Sequence, residues 1–156
     1  MAAPSNTMRS VSTWKSGAHF EHIAKSGVPY QTDARLEGFD QDTLAGAGPM
    51  EMLLGALAGC SGYDVVSLLK KMRVELKSFS IEIDAERRRE NPRIFKSINV
   101  LYNIDAEPLD SRKILRAINF SVDKYCAVSA ILSATAEMNW TLRCGGEEFT
   151  GTMHSK

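Results

Sequence analysis

Between Pro49 and about Met72 the chain carries Met52, Leu53, Leu54, Leu57, Val65, Val66, Leu68 and Leu69, which cover nearly the whole circumference of an α-helix. A helix apolar on every side has no face to offer to water, so the spacing predicts a core helix buried all round. Pro49 suits a first helical position, where its missing N–H removes a donor that would have no partner anyway. The stretch from Asp40 to Gly48, with Gly38, Gly46 and Gly48 in and around it, predicts a loop leading into that helix. A membrane span has similar length, but Glu51, Asp64 and three glycines interrupt the run, and the remaining chain has ordinary strand patterning. The expectation is therefore a soluble protein built around this helix.

What flanks the helix is mostly strand. From Arg9 to about Arg35 the residues alternate in short runs, with Val11, Thr13 and Lys15 against Ser12, Trp14 and Ser16, which predicts two or three strands. Phe79, Ile81, Ile83 and Ala85 alternate with Ser80, Glu82, Asp84 and Glu86. After Asn91-Pro92 the same style resumes from Phe95 to Ile104, giving a long antiparallel hairpin. Asp110 is a cap for a second, amphipathic helix, whose apolar residues Ile114, Leu115, Ile118, Val122 and Tyr125 recur at helical spacing. Val128, Ile131 and Leu132 continue it past a kink. Met138 to Arg143 predicts a closing strand, and Gly145-Gly146 a turn into a short final strand around Phe149. The fold class is α+β, antiparallel sheets packed on a long buried apolar helix and a second amphipathic helix. A chain of 156 residues is expected to form a single domain over 1–156, with 1–8 flexible.

Charge and cysteine content narrow the function. Lysine plus arginine balances aspartate plus glutamate at 19 each, which argues against nucleic acid or an anionic membrane as partner. Three cysteines are an odd number, and the N-terminus lacks the basic stretch, apolar core and small-residue cleavage site of a secretory leader. The expected compartment is the reducing cytoplasm, where a cysteine pair is more often catalytic, sensing or simply buried than a lasting structural disulfide.

Cys60 lies mid-helix between Gly59 and Ser61-Gly62, where small neighbours admit another backbone or a reactant, although a thiol filling a tight helix contact is the plain alternative. Cys126 falls where the second helix breaks and restarts, so free N–H groups there can favour a thiolate. Cys144, beside Gly145 and without an acid or base neighbour, is read as incidental. Glu51 occupies the third helical position after Pro49, where a carboxylate caps the positive helix end. Nine residues separate it from Cys60, which puts the two on roughly opposite sides of a straight helix. His19 and His22, three apart in a strand, turn to opposite faces. With no Cys-x-x-Cys or His-x-x-x-His spacing, neither a metal site nor a cofactor is expected.

At Gly48-Pro49-Met50-Glu51-Met52-Leu53-Leu54 leading to Gly59-Cys60-Ser61, and again at Lys124-Tyr125-Cys126-Ala127-Val128, the chain resembles the OsmC/Ohr-like family. The hairpin bearing Glu86-Arg87-Arg88 and Asn91-Pro92-Arg93-Ile94-Phe95 is similar to the YhfA-type branch, and the resemblance runs over roughly residues 8 to 144. It implies an intertwined homodimer with active sites at the interface. It also implies a thiol peroxidase reaction on organic hydroperoxides, with Cys60 peroxidatic, Cys126 resolving, Glu51 assisting and a lipoyl-like dithiol as reductant. One feature departs from the pattern. Family peroxidases resemble one another in an arginine early in the N-terminal strands, whereas the corresponding Lys15-Ser16-Gly17-Ala18-His19-Phe20 has none. Arg35 is left to stabilise the thiolate, with His19 or Arg9 as lesser alternatives. Ala127 stands where the family commonly has proline. Two rival functions use the same dimer cleft: a non-enzymatic binder of hydrophobic small molecules, and a redox sensor switched by a Cys60–Cys126 disulfide.

Overall fold

The computed structural model describes residues 6–39 and 42–153. Residues 1–5 of the segment expected to be flexible, and Asp40 and Gln41 of the expected loop, lie outside the described residues. The chain falls into two compact units, 1–53 and 54–156.

In the first unit β1 (Ser10–Ser16), β2 (His19–Ala24) and β3 (Pro29–Thr32) form an antiparallel meander in that order. Asp33 follows β3 and is buried, its carboxylate accepting the N–H groups of Ala34 at 2.8 Å and Ala45 at 3.0 Å. Those bonds, with Asp33 N–H to the Ala47 carbonyl at 3.2 Å, hold the loop that feeds the long helix.

That helix, α1, spans Pro49–Lys71. By length and mean hydropathy (1.5) it would suffice to cross a membrane. The expectation of burial all round is corrected within a single chain. Only Leu57, Ser61, Val65 and Leu69, four apart along one stripe, are buried. Leu53, Tyr63 and Val66 remain 40%, 75% and 45% exposed. One sheet covers one side of a helix, and the four-stranded sheet of the second unit takes the Leu57–Leu69 stripe.

The second unit holds the four-stranded sheet β4-β5-β6-β7, from Glu75–Arg87, Phe95–Glu107, Glu137–Cys144 and Glu147–Met153. Strict alternation puts Ile98, Val100, Tyr102, Ile104 and Ala106 of β5, and Met138, Trp140, Leu142 and Cys144 of β6, into the core. The sheets are antiparallel as expected, except that β5 pairs with β6 in parallel. Parallel neighbours need a long crossover, and here it consists of α2 (Ser111–Phe120), a π-helical turn (Ser121–Tyr125) and α3 (Ala127–Leu132). Asp110 caps α2 as its sequence position predicts, accepting the Lys113 N–H at 3.1 Å. Gly145 and Gly146, at φ 56° and 77°, make the two-residue turn between Cys144 and Glu147, a conformation open to glycine and strained for other residues. The final strand is longer than the short segment expected around Phe149.

Candidate active site

Two breaks in regular structure bring the site together. At the end of α2 the N–H of Cys126 bonds to the carbonyl of Ser121 at 2.9 Å, a five-residue step that widens the helix into a π turn. Cys126 then adopts an extended conformation (φ −70°, ψ 99°) and serves as the N-cap of α3, its Sγ accepting the Ser129 N–H at 3.4 Å. The turn throws this thiol back towards α1. There Cys60 and Asp64, four residues apart and so on one helix face, await it. The sulfurs of Cys60 and Cys126 and a carboxylate oxygen of Asp64 all lie within 4.8 Å of one another. Cys126 is buried, whereas Cys60 and Asp64 are half-buried.

A buried hydroxyl chain fixes this geometry. Ser61 Oγ bonds to Tyr102 Oη at 2.6 Å and to Ser121 Oγ at 3.1 Å. Ser121 Oγ in turn lies 3.1 Å from Asp64 Oδ2, to which it donates. Ser61, Tyr102 and Ser121 are all essentially inaccessible to solvent, so α1, β5 and the start of the π turn are locked in one arrangement. On the same side of α1, Gly62 packs against Ile81, where a Cβ would come within 3.3 Å of the isoleucine Cδ1. Gly59 faces open space instead.

Electrostatically the pocket disfavours charge. Burial pushes the Cys126 thiol up, an effect opposed by the Ser129 hydrogen bonds and reinforced by Cys60. Burial also raises the Asp64 carboxyl, with the Ser121 hydrogen bond pulling the other way. A cavity of about 240 Å³ lined by Tyr63, Asp64, Ser67, Leu68, Lys71 and Tyr125 opens beside Asp64.

Of the residues singled out in the sequence, Cys60 and Cys126 are thus brought together. Cys144 lies apart in the β6 core, where burial and Glu147 raise its thiol. Glu51 belongs to the N-terminal unit and accepts the Gly48 N–H at 2.6 Å, closing the first turn of α1 as a cap. His19 pairs with Gln31 at 2.5 Å across the first sheet, and Arg35 is exposed after β3. Asp64 and the Ser61–Tyr102–Ser121 chain were not singled out. The i, i+4 relation of Cys60 and Asp64 was the one signal in the sequence that pointed to Asp64.

Comparison with known proteins agrees with this architecture. Residues 39–141 match the family described as OsmC-like protein. Over 84 residues the chain is 40% identical to Protein YhfA of Escherichia coli K12, a match covering 54% of this chain and 63% of that relative's length. It superposes on the crystal structure of a hypothetical protein from Aquifex aeolicus VF5 with a TM-score of 0.73 and 25% identity, covering 90% of this chain and 98% of that one. Its fold is also that of the organic hydroperoxide resistance protein OhrB of Bacillus subtilis, with TM-score 0.60, 17% identity and coverage of 88% and 98%.

Proposed function

The chain belongs to the OsmC-like protein family, and on that premise we propose that it is a thiol-dependent peroxidase that reduces organic hydroperoxides through a two-cysteine cycle. The observation that carries this reading is the approach of Cys60 and Cys126 within 4.8 Å, although 66 positions separate them in sequence. The fold shared with the organic hydroperoxide resistance protein OhrB of Bacillus subtilis supports the choice of substrate.

In the proposed cycle the Cys60 thiolate attacks the outer oxygen of a hydroperoxide. The O–O bond breaks, the alkoxide leaves and takes up a proton as the alcohol, and Cys60 becomes a sulfenic acid. The Cys126 thiol condenses with that sulfenic acid, releasing water and forming a disulfide. A bond of about 2.05 Å requires the two sulfurs to close by roughly 3 Å at most, within reach of side-chain rotation. A lipoyl-like dithiol restores both thiols by exchange and leaves as its own disulfide. Half-buried Cys60 is the more accessible thiol and buried Cys126 the more shielded one, which supports Cys60 as peroxidatic and Cys126 as resolving.

The cycle operates in the cytoplasm and in a homodimer, where the uncovered stripe of α1 meets its counterpart. Glu51 acts across that interface on Cys60 of the partner subunit, and Arg35, with His19 as the alternative, supplies the positive charge. The test is steady-state consumption of cumene hydroperoxide with dihydrolipoamide as reductant. Turnover that disappears in Cys60→Ser supports the reading. Absence of turnover in the reduced wild type, or turnover unchanged in Cys60→Ser, rejects it.

A further inference from the structure

We propose that the reduced site also binds a thiophilic divalent cation of the zinc type, with Cys60, Cys126 and Asp64 as its three protein ligands. This inference stands on geometry and does not depend on the peroxidase reading. Two sulfurs and a carboxylate oxygen already lie within 4.8 Å of one another. Around a tetrahedral ion with Zn–S of about 2.3 Å, two thiolates sit roughly 3.8 Å apart, so the two sulfurs need to draw in by about 1 Å at most. Three protein ligands leave a fourth position for water, the arrangement of an open zinc site.

The surroundings suit this role. Metal ligands are commonly oriented by outer hydrogen bonds. Here Ser121 Oγ donates to Asp64 Oδ2 at 3.1 Å, leaving the other carboxylate oxygen available, and the Ser129 N–H donates to Cys126 Sγ at 3.4 Å. Both serines are buried, at 0% and 2% exposure, so the orienting groups are fixed in the core rather than recruited from the surface. Asp64 takes part in no ion pair among the described residues. A dication coordinated by all three offsets the mutual repulsion of two thiolates and a carboxylate held this close together. Thiolate ligands select zinc over magnesium or calcium. The spacing of the cysteines in sequence gave no hint of a metal because the ligand set is split between α1 and a turn more than 60 residues later.

Metal binding and disulfide formation consume the same two sulfurs, so the cation marks the reduced protein and shields its thiols from oxidation. The test uses Co²⁺ as a spectroscopic probe and Zn²⁺ as competitor, on protein reduced with a phosphine that carries no thiol. The expected result is one Co²⁺ per chain with thiolate-to-metal charge-transfer absorption, displaced by Zn²⁺ and absent after oxidation to the disulfide. Cys60→Ser and Cys126→Ser should each lose or halve that absorption, Asp64→Asn should weaken binding about tenfold or more, and Cys144→Ser should bind as wild type. No charge-transfer absorption in the reduced wild type overturns the proposal whatever the variants do. Asp64→Asn binding as tightly as the wild type, or Cys144→Ser abolishing it, rejects this ligand set.

Discussion

At the scale of single residues, the hydroxyl chain through Ser61, Tyr102 and Ser121 is the feature on which the spacing of the thiols depends. Ser61→Ala leaves the Tyr102 hydroxyl without its 2.6 Å partner in a site closed to solvent, and should cost about 1–3 kcal/mol in urea unfolding. Pairing it with Tyr102→Phe removes donor and acceptor together, so the double variant should be less destabilised than the two single effects summed. Cys126 gives a second expectation. Because burial holds its thiol above the ordinary cysteine range, the resolving step should be slow at neutral pH and accelerate about tenfold per pH unit up to that raised value. Trapping of the Cys60 sulfenic acid with dimedone should therefore be efficient near pH 6 and fall as pH rises. A trapping yield independent of pH would show that Cys126 is not the resolving thiol. Asp64 follows the same logic with a different sign of consequence. Its raised carboxyl contributes stability that is fully present below its unfolded value of 3.8 and is lost as pH rises through the folded value. Asp64→Asn should then leave stability at neutral pH undiminished.

Among the elements, the junction of the π turn and α3 shows how much the sequence made legible. The break after Tyr125 could be read from a helical pattern that falters at Cys126, and the cap at Asp110 from its position before Ile114. The π step could not, since one extra residue in a turn leaves no mark on hydrophobic spacing. Ala127 is the first residue of α3, where an N–H needs no helical acceptor, and Cys126 before it already has the extended conformation that a following proline demands. Ala127→Pro should therefore be tolerated and raise stability by about 0.4–1 kcal/mol, seen as a melting temperature a few degrees higher. A loss of stability would mean that the Ala127 N–H is used. The parallel pairing of β5 with β6 was likewise hidden, because alternation reports which face of a strand is buried and not the direction of its neighbour. For α1, composition showed that every side is apolar, but it took the fold to show which stripe the chain itself covers.

At the level of the whole molecule, that uncovered stripe is the physical basis of the proposed dimer. Leu53, Tyr63 and Val66 expose apolar surface whose burial is worth roughly 25 cal/mol per Å², and Gly59, facing open space, allows a second helix to come close. Gly59→Arg should shift the protein from dimer to monomer in sedimentation equilibrium. An unchanged dimer would place the interface elsewhere. If Glu51 serves the opposite protomer, mixing inactive Glu51→Ala with inactive Cys60→Ser chains should restore about a quarter to a half of the activity per dimer, since each heterodimer holds one intact site. Verified heterodimers without activity would reject the cross-subunit role. The candidate site was legible in part: two cysteines in recognisable contexts, but not the aspartate and serines whose roles depend on contacts between distant segments. Everything proposed about function rests on the two thiols forming one redox unit. The most direct measurement is rapid mixing of fully reduced protein with one equivalent of cumene hydroperoxide, followed by thiol counting and peptide mapping. The account predicts that three free thiols fall to one, with an intramolecular Cys60–Cys126 disulfide and Cys144 still reduced. Three thiols remaining, or a disulfide that includes Cys144, would contradict it.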